Sequence, residues 1–165
     1  MQFRPERPSD AEAIQAIVTS AFESAPHSDG TEAAIVERLR TNGALTLSLV
    51  AECEGEAVGH VAFSPVTING VHTDWLGLAP IAILPIWQRK GIGEALVRSG
   101  LDRIAAMDAA GCVVLGDPAF YRRFGFVSDA ALRYADVPTE YFQRLVLRGK
   151  APAGIVDYHA SFSGN

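Results

Sequence analysis

With 165 residues, 48% of them hydrophobic and 20% charged, the chain is long and apolar enough to bury a core in one domain over residues 1–165, and too apolar to stay disordered. Its formal net charge of −5 argues against a general nucleic-acid binder, which needs a basic face. Met1 to Glu6 lacks the apolar core of a signal peptide, and no run nears the roughly 20 apolar residues of a spanning helix, so a cytoplasmic protein without membrane contact is expected.

In chain order, residues 2–4 suit a short first strand. Ser9 or Asp10 then caps a helix whose apolar positions Ile14, Ile17, Val18, Ala21 and Phe22 keep helical spacing. A polar break from Ser24 to Gly30 contains His27, read first as a solvated loop histidine, with proton transfer at near-neutral pH as the alternative. A second helix begins near Thr31, with Asp29 and Glu32 spaced as a capping box. Leu45–Cys53 and Ala57–Ile68 read as strands joined at Glu54-Gly55-Glu56, and a third begins after Asn69-Gly70, a strong hairpin signal. This antiparallel meander leads into Ile81–Leu84, which is apolar without alternation, as in a strand buried on both faces. His60 shares a face with Val58, Ala62 and Ser64, as either a base near a substrate or a hydrogen-bonded structural histidine.

The next helix runs from about Gly91 to Ala109, with Val97, Leu101, Ile104 and Ala105 at core spacing and Glu94 and Arg98 as an i,i+4 pair. Gly111 ends it and Cys112–Gly116 makes a second buried strand. Strand, helix, strand implies a right-handed parallel crossover, and the fold class is α/β with a mixed sheet. Asp117-Pro118 opens a short helix carrying Tyr121, with Phe124 and Phe126 after it, and Ala153–Phe162 supplies a last strand. Cys53 and Cys112 stand in apolar runs as small buried hydrophobes. Two cysteines make neither a disulfide framework nor a metal site, and no metal is expected.

The stretch with the clearest chemistry is Gln88-Arg89-Lys90-Gly91-Ile92-Gly93, between the apolar strand and the third helix. The first N–H groups of a helix lack intrahelical partners and point outward with the positive end of the dipole. Gly91 and Gly93 remove the Cβ atoms that would hold a bulky anion away, and Arg89 and Lys90 add positive charge. A pyrophosphate suits such a turn better than a single phosphate. A nucleotide-binding loop is disfavoured, because the Gly-Lys-Ser/Thr sequence is missing.

The pattern Gln-x-x-Gly-x-Gly after an apolar strand, here Gln88, Gly91 and Gly93, resembles the acyl-CoA signature of the GNAT family of N-acetyltransferases. Gly116-Asp117-Pro118-Ala119-Phe120-Tyr121-Arg122-Arg123-Phe124-Gly125-Phe126 resembles the same family's Tyr-x-x-x-Gly-Phe segment, and the match runs in element order over about residues 1 to 130. The resemblance implies a mostly antiparallel sheet with a splayed parallel strand pair, flanked by helices. Acetyl-CoA would be the cosubstrate, without a metal: its pantetheine arm would lie in the splay against backbone groups of Ile81, Ala82 and Ile83, and its pyrophosphate on Gln88, Arg89, Lys90, Gly91, Ile92 and Gly93. Tyr121 would be the catalytic acid for the departing thiolate, and a backbone N–H near Ile83 would polarise the thioester carbonyl. Many members carry a glutamate base on the central strands, but Leu76-Gly77-Leu78-Ala79-Pro80 holds no acid. Glu52, Asp74, His60 and Asp117 remain as alternatives, or the amine sheds its proton to solvent. The acceptor would be a primary amine, small-molecule or peptide, its pocket shaped by the first loop and second helix. The exposed last strand common to such folds admits a homodimer. The alternative from another class is a non-catalytic acyl-CoA sensor or interaction module.

Overall fold

The computed structural model describes residues 1–23, 25 and 28–164. Strands β1 (Gln2–Pro5), β2 (Leu47–Cys53), β3 (Glu56–Ile68) and β4 (Val71–Ile83) form an antiparallel meander. Both expected tight turns are present. Glu54 and Gly55 have φ of 50° and 81°, Asn69 and Gly70 of 52° and 76°, the paired positive values that a two-residue hairpin of natural twist requires.

The third meander strand and the apolar stretch before the glycine turn are one element, β4. Its register against β3 runs Gly59↔Ile83, His60↔Ala82, Val61↔Ile81 and then Phe63↔Leu78, so Ala79 and Pro80 together oppose Ala62. Pro80 has no N–H to give the ladder and sits where the ladder is interrupted. The bulge re-aims the last residues of β4. Ile81 and Ile83 are only half-buried, with Ala82 buried between them, so the end of β4 is not covered on both faces as its composition suggested. It borders open space.

Helix α1 (Ala11–Glu23) and α2 (Glu32–Thr41) cover one face, packing Ile14, Ile17, Val18 and Val36 against Val50 and Ala82. Asp10 does not cap α1 in the ordinary way. Its carboxylate turns back to accept from the Arg7 N–H at 2.6 Å and from both terminal nitrogens of Arg4 at 2.7 and 3.1 Å, and the Arg4 bonds hold it below the usual carboxylate range. Helix α3 (Ile92–Ala106) covers the opposite face. Leu96, Val97, Leu101 and Ile104 are buried, whereas Ala105 is exposed, and Gly100 instead faces the core with the Phe63 ring 2.5 Å from where its Cβ would stand. Gly111 does not end α3. Asp108 takes the left-handed conformation after the helix, at φ 68°, and Gly111 opens β5 (Gly111–Leu115) because the Trp75 ring fills the Cβ position, 2.4 Å away.

β5 lies parallel to β4, as the crossover predicted, and β8 (Phe142–Val146) lies antiparallel on its other edge, with β6 (Val127–Ser128) beyond. β8 escaped the sequence reading because Gln143 occupies a buried position, where it donates to the Gly116 carbonyl at 3.2 Å, and so breaks the apolar pattern. The last strand, β9 (Gly154–Tyr158), is shorter than expected and gives way to a 3-10 turn at Ala160–Ser163. It pairs antiparallel with β3 along one edge and parallel with β7 (Leu132–Arg133). β9 is thus paired on both sides, while Ile155 and Asp157 remain exposed. Among the described residues no helix is long and apolar enough to cross a membrane.

Candidate active site

Parallel pairing between β4 and β5 is confined to Trp75↔Gly111, Leu76↔Cys112 and Gly77↔Val113. Beyond these residues the two strands part. Which backbone groups face the gap follows from antiparallel alternation, in which only every second residue directs its N–H and C=O at a given neighbour. The Leu84 N–H bonds the Val58 carbonyl at 2.9 Å, so Leu84 and Ala82 turn toward β3. Ile83 and Ile81 therefore turn toward the gap. By the same rule the Gly116 N–H bond to the Tyr141 carbonyl, 2.9 Å, turns Leu115 toward the gap from the other side. The result is an interrupted sheet with strand-like polar groups on both margins.

At one end of the gap lies the glycine turn. After a 3-10 turn at Pro85–Trp87, the Gln88 side chain donates to the Ile83 carbonyl at 3.1 Å and ties the turn to the end of β4. Arg89 takes φ 62° and Gly91 φ 81°, a tight reversal that aims the start of α3 back at the gap. No side chain caps α3, and its first backbone bond is from the Ala95 N–H to the Gly91 carbonyl at 3.1 Å. The N–H groups of Ile92, Gly93 and Glu94 thus remain open to an anion. Arg89 and Lys90 are exposed and form no ion pair among the described residues. A depression of about 320 Å³ bordered by Trp87, Gln88, Gly91, Gly93 and Arg123 lies over the turn. The expected Glu94–Arg98 pair exists at 3.6 Å, but Glu94 also meets Arg123 at 2.7 Å, and that bond chiefly holds its carboxyl below the usual range.

At the other end lies α4 (Pro118–Tyr121), capped by Asp117, whose Oδ1 accepts the Ala119 N–H at 2.9 Å. The Tyr121 ring packs over Gly116, 2.6 Å from where a Cβ would project, and edge-on to Phe120 and Phe126 at 4.9 and 5.8 Å between centroids. Gly116 is therefore a glycine because the tyrosine needs its space. Burial, with a smaller contribution from the Cys112 thiol, pushes the Tyr121 phenol up to about 12. Between the two ends runs a largely apolar cleft of about 420 Å³. Its walls are Ala21, Phe22 and Ala25 on one side, Ile81–Ile83 on β4, Gln88 and Gly93 at the turn, and Gly116, Asp117, Phe120 and Tyr121 beyond β5.

The four acid or base alternatives are separated by this geometry. Glu52 lies against the Arg4 guanidinium at 3.4 Å, and Asp74, near the other end of β4, is bound by Arg148 at 2.5 Å. Asp117 borders the cleft. His60 is fully buried with Nε2 2.7 Å from Ser48 Oγ. Ser48 in turn donates to Glu6, which Arg40 holds at 2.8 Å. Because a carboxylate can only accept, the Ser48 hydroxyl proton points to Glu6, so His60 carries its proton on Nε2 and leaves Nδ1 without a partner among the described residues. His27 lies outside the described residues. Among the described residues no group of three or more His, Cys, Asp or Glu is placed to hold a metal ion.

His60 makes stability depend on pH. Desolvation pushes its imidazole down to about 4 from 6.5, with Glu6 opposing and Arg40 assisting that shift. Between pH 6.5 and 4 the unfolded chain binds a proton that the folded one refuses, so stability falls as pH drops through this window, by about 3 kcal/mol in all. Denaturant unfolding of the wild type at pH 7 and 4 should show that loss, and His60→Gln should show a smaller one. Equal losses would mean that His60 is not the group responsible.

The sheet is thus opened between two parallel strands, with an uncapped glycine turn at one end and a buried tyrosine at the other, the arrangement that the resemblance to acetyltransferases implies. A family model described as an acetyltransferase (GNAT) domain matches residues 45–128. The Escherichia coli N-acetyltransferase YhbS is 39% identical over 172 residues, covering 99% of each chain. The crystal structure of a GNAT acetyltransferase from Brucella melitensis in complex with acetyl-CoA superposes with a TM-score of 0.88 at 45% identity, over 98% of this chain and 97% of that one. The structure of YhbS in complex with CoA superposes with a TM-score of 0.89 at 38% identity, over 98% and 91%. The chain belongs to the GNAT acetyltransferase family.

Proposed function

We propose that the protein transfers the acetyl group of acetyl-CoA directly to a primary amine, and that the cleft between β4 and β5 is where it does so. The observation that carries this reading is the placement of Ile81 and Ile83, whose backbone groups face a gap that continues into the uncapped start of α3. An arm with two amides fits that margin as an added strand would. The N–H groups of Ile92, Gly93 and Glu94, with Arg89 and Lys90 beside them, would hold the pyrophosphate. Ala82 would contribute its side chain to the cleft wall, since its polar groups face β3. The relatives crystallised with acetyl-CoA and CoA support this choice of cosubstrate.

Acetyl-CoA supplies an acetyl group activated as a thioester. The chain's own part is to polarise the carbonyl, through the outward N–H at Ile83, and to keep a proton at Tyr121 Oη for the departing sulfur. The buried phenol stays protonated across the physiological range, since its pKa is pushed up to about 12. A free thiol titrates near 8.5, so donation is uphill in water. Burial raises the phenol and the thiol alike, so donation becomes favourable only where the departing thiolate is desolvated more strongly than the phenol. Calorimetric titration with acetyl-CoA, with ATP as control, tests the reading. Saturable binding of acetyl-CoA with little binding of ATP is expected, and no binding of acetyl-CoA would overturn it.

A further inference from the structure

Arg89, Lys90 and Arg123 stand near the start of α3, and they differ in how they are held. Arg89 and Lys90 are exposed and form no ion pair among the described residues. Arg123, in the 3-10 turn that follows α4, is fixed at three points. Its Nε donates to the Phe120 carbonyl at 2.9 Å, its Nη1 donates to Glu94 Oε1 at 2.7 Å, and its guanidinium lies 4.8 Å from the centroid of the Phe120 ring. Nη2 has no partner among the described residues, and the side chain borders the depression over the glycine turn with Gly91 and Gly93. Glu94 belongs to the first turn of α3, where a carboxylate favours the helix. Its own N–H is one of those left open to an anion, so its charge stands beside the place proposed for the pyrophosphate.

We propose that Arg123 binds a phosphate of the acyl donor, and that Glu94 occupies its guanidinium until the donor arrives. This deepens the acetyl-transfer reading and rests on it. A long cationic side chain that must be ordered on binding loses rotamer freedom, and Arg89 and Lys90 bear that cost in full. Arg123 is already ordered, with donors to spare in the fork geometry that suits phosphate. Its bond to Glu94 is cheap to exchange, because both side chains are largely exposed, at 44% and 40%, and such pairs contribute little. A bound phosphate would be drawn to Arg123 and repelled by Glu94. Arg123 is then a donor-binding residue, and Glu94 a resident anion that lowers donor affinity.

The test is calorimetric titration with acetyl-CoA at low ionic strength, comparing the wild type with Arg123→Gln, Glu94→Gln and the double variant. Surface substitutions of this kind leave folding nearly unchanged. Arg123→Gln should weaken binding at least about tenfold, the loss of a charge-assisted contact. Glu94→Gln, which can still accept from Arg123, should tighten binding about three- to tenfold by removing the like charge. With Gln already at position 94, Arg123→Gln should still cost about tenfold, because a direct phosphate contact does not depend on Glu94. A cost that vanishes in that background would mean that Arg123 only neutralises Glu94, and weaker binding by Glu94→Gln would mean that Glu94 only positions Arg123. Either result, or an unchanged affinity in Arg123→Gln, would overturn the proposal. Failure of the wild type to bind acetyl-CoA would instead overturn the acetyltransferase reading on which it rests.

Discussion

Replacing Tyr121 by phenylalanine should lower kcat by roughly 10²- to 10⁴-fold, the span typical of a positioned acid, while leaving acetyl-CoA affinity within a few-fold. The change removes one oxygen and keeps the ring, so the contacts with Gly116, Phe120 and Phe126 that shape the end of the cleft are retained. A loss confined to kcat means that the hydroxyl acts in the transition state and not in binding. Because burial pushes the phenol up to about 12, the wild-type rate should show no loss from ionisation of this group up to about pH 10. Steady-state rates with a saturating amine decide the matter. Undiminished turnover in the variant would remove Tyr121 from the chemistry.

The second large effect is expected at Gly91. Nothing lies within 4 Å of where a Cβ would stand, so no clash opposes a side chain, but φ is 81° and an L residue there is strained by about 1–2 kcal/mol. Glutamate would add a carboxylate to the N–H groups of Ile92 and Gly93, filling the place proposed for the pyrophosphate and repelling it. Acetyl-CoA affinity should fall at least about 100-fold, or about 2.7 kcal/mol. Gly91→Ala carries the strain without the charge and should lose much less. Calorimetry on the two variants separates these contributions, and an affinity retained in Gly91→Glu would place the pyrophosphate elsewhere.

The features legible in the sequence were those in which the backbone restricts the residue. Gly91 must adopt positive φ, Asn69-Gly70 and Glu54-Gly55 must reverse a hairpin, and Pro118 suits the first turn of α4, so each leaves a mark in the residue itself. The gap between β4 and β5 leaves none, because it consists of hydrogen bonds not made, and Val114 and Leu115 look like any strand residues. Glycine also misled where its reason was packing. Gly111 resembles a helix terminator but yields its Cβ space to Trp75, while Asp108 takes the left-handed turn. The base alternatives were indistinguishable in sequence, since what separates Asp117 from Glu52, Asp74 and His60 is distance from the cleft and the partners each has found. Those are tertiary facts.

The parting of β4 and β5 after Gly77 and Val113 has one more consequence, in mass action. On the proposed reading, the sheet is completed only when a cosubstrate lies between the two strands, so cohesion of this region is borrowed from a metabolite. Free ligand at about 100 times its dissociation constant adds about 2.7 kcal/mol to the folded state. The population of folded, protease-resistant protein would then rise and fall with acyl-donor supply, and the enzyme would persist longest when its donor is abundant.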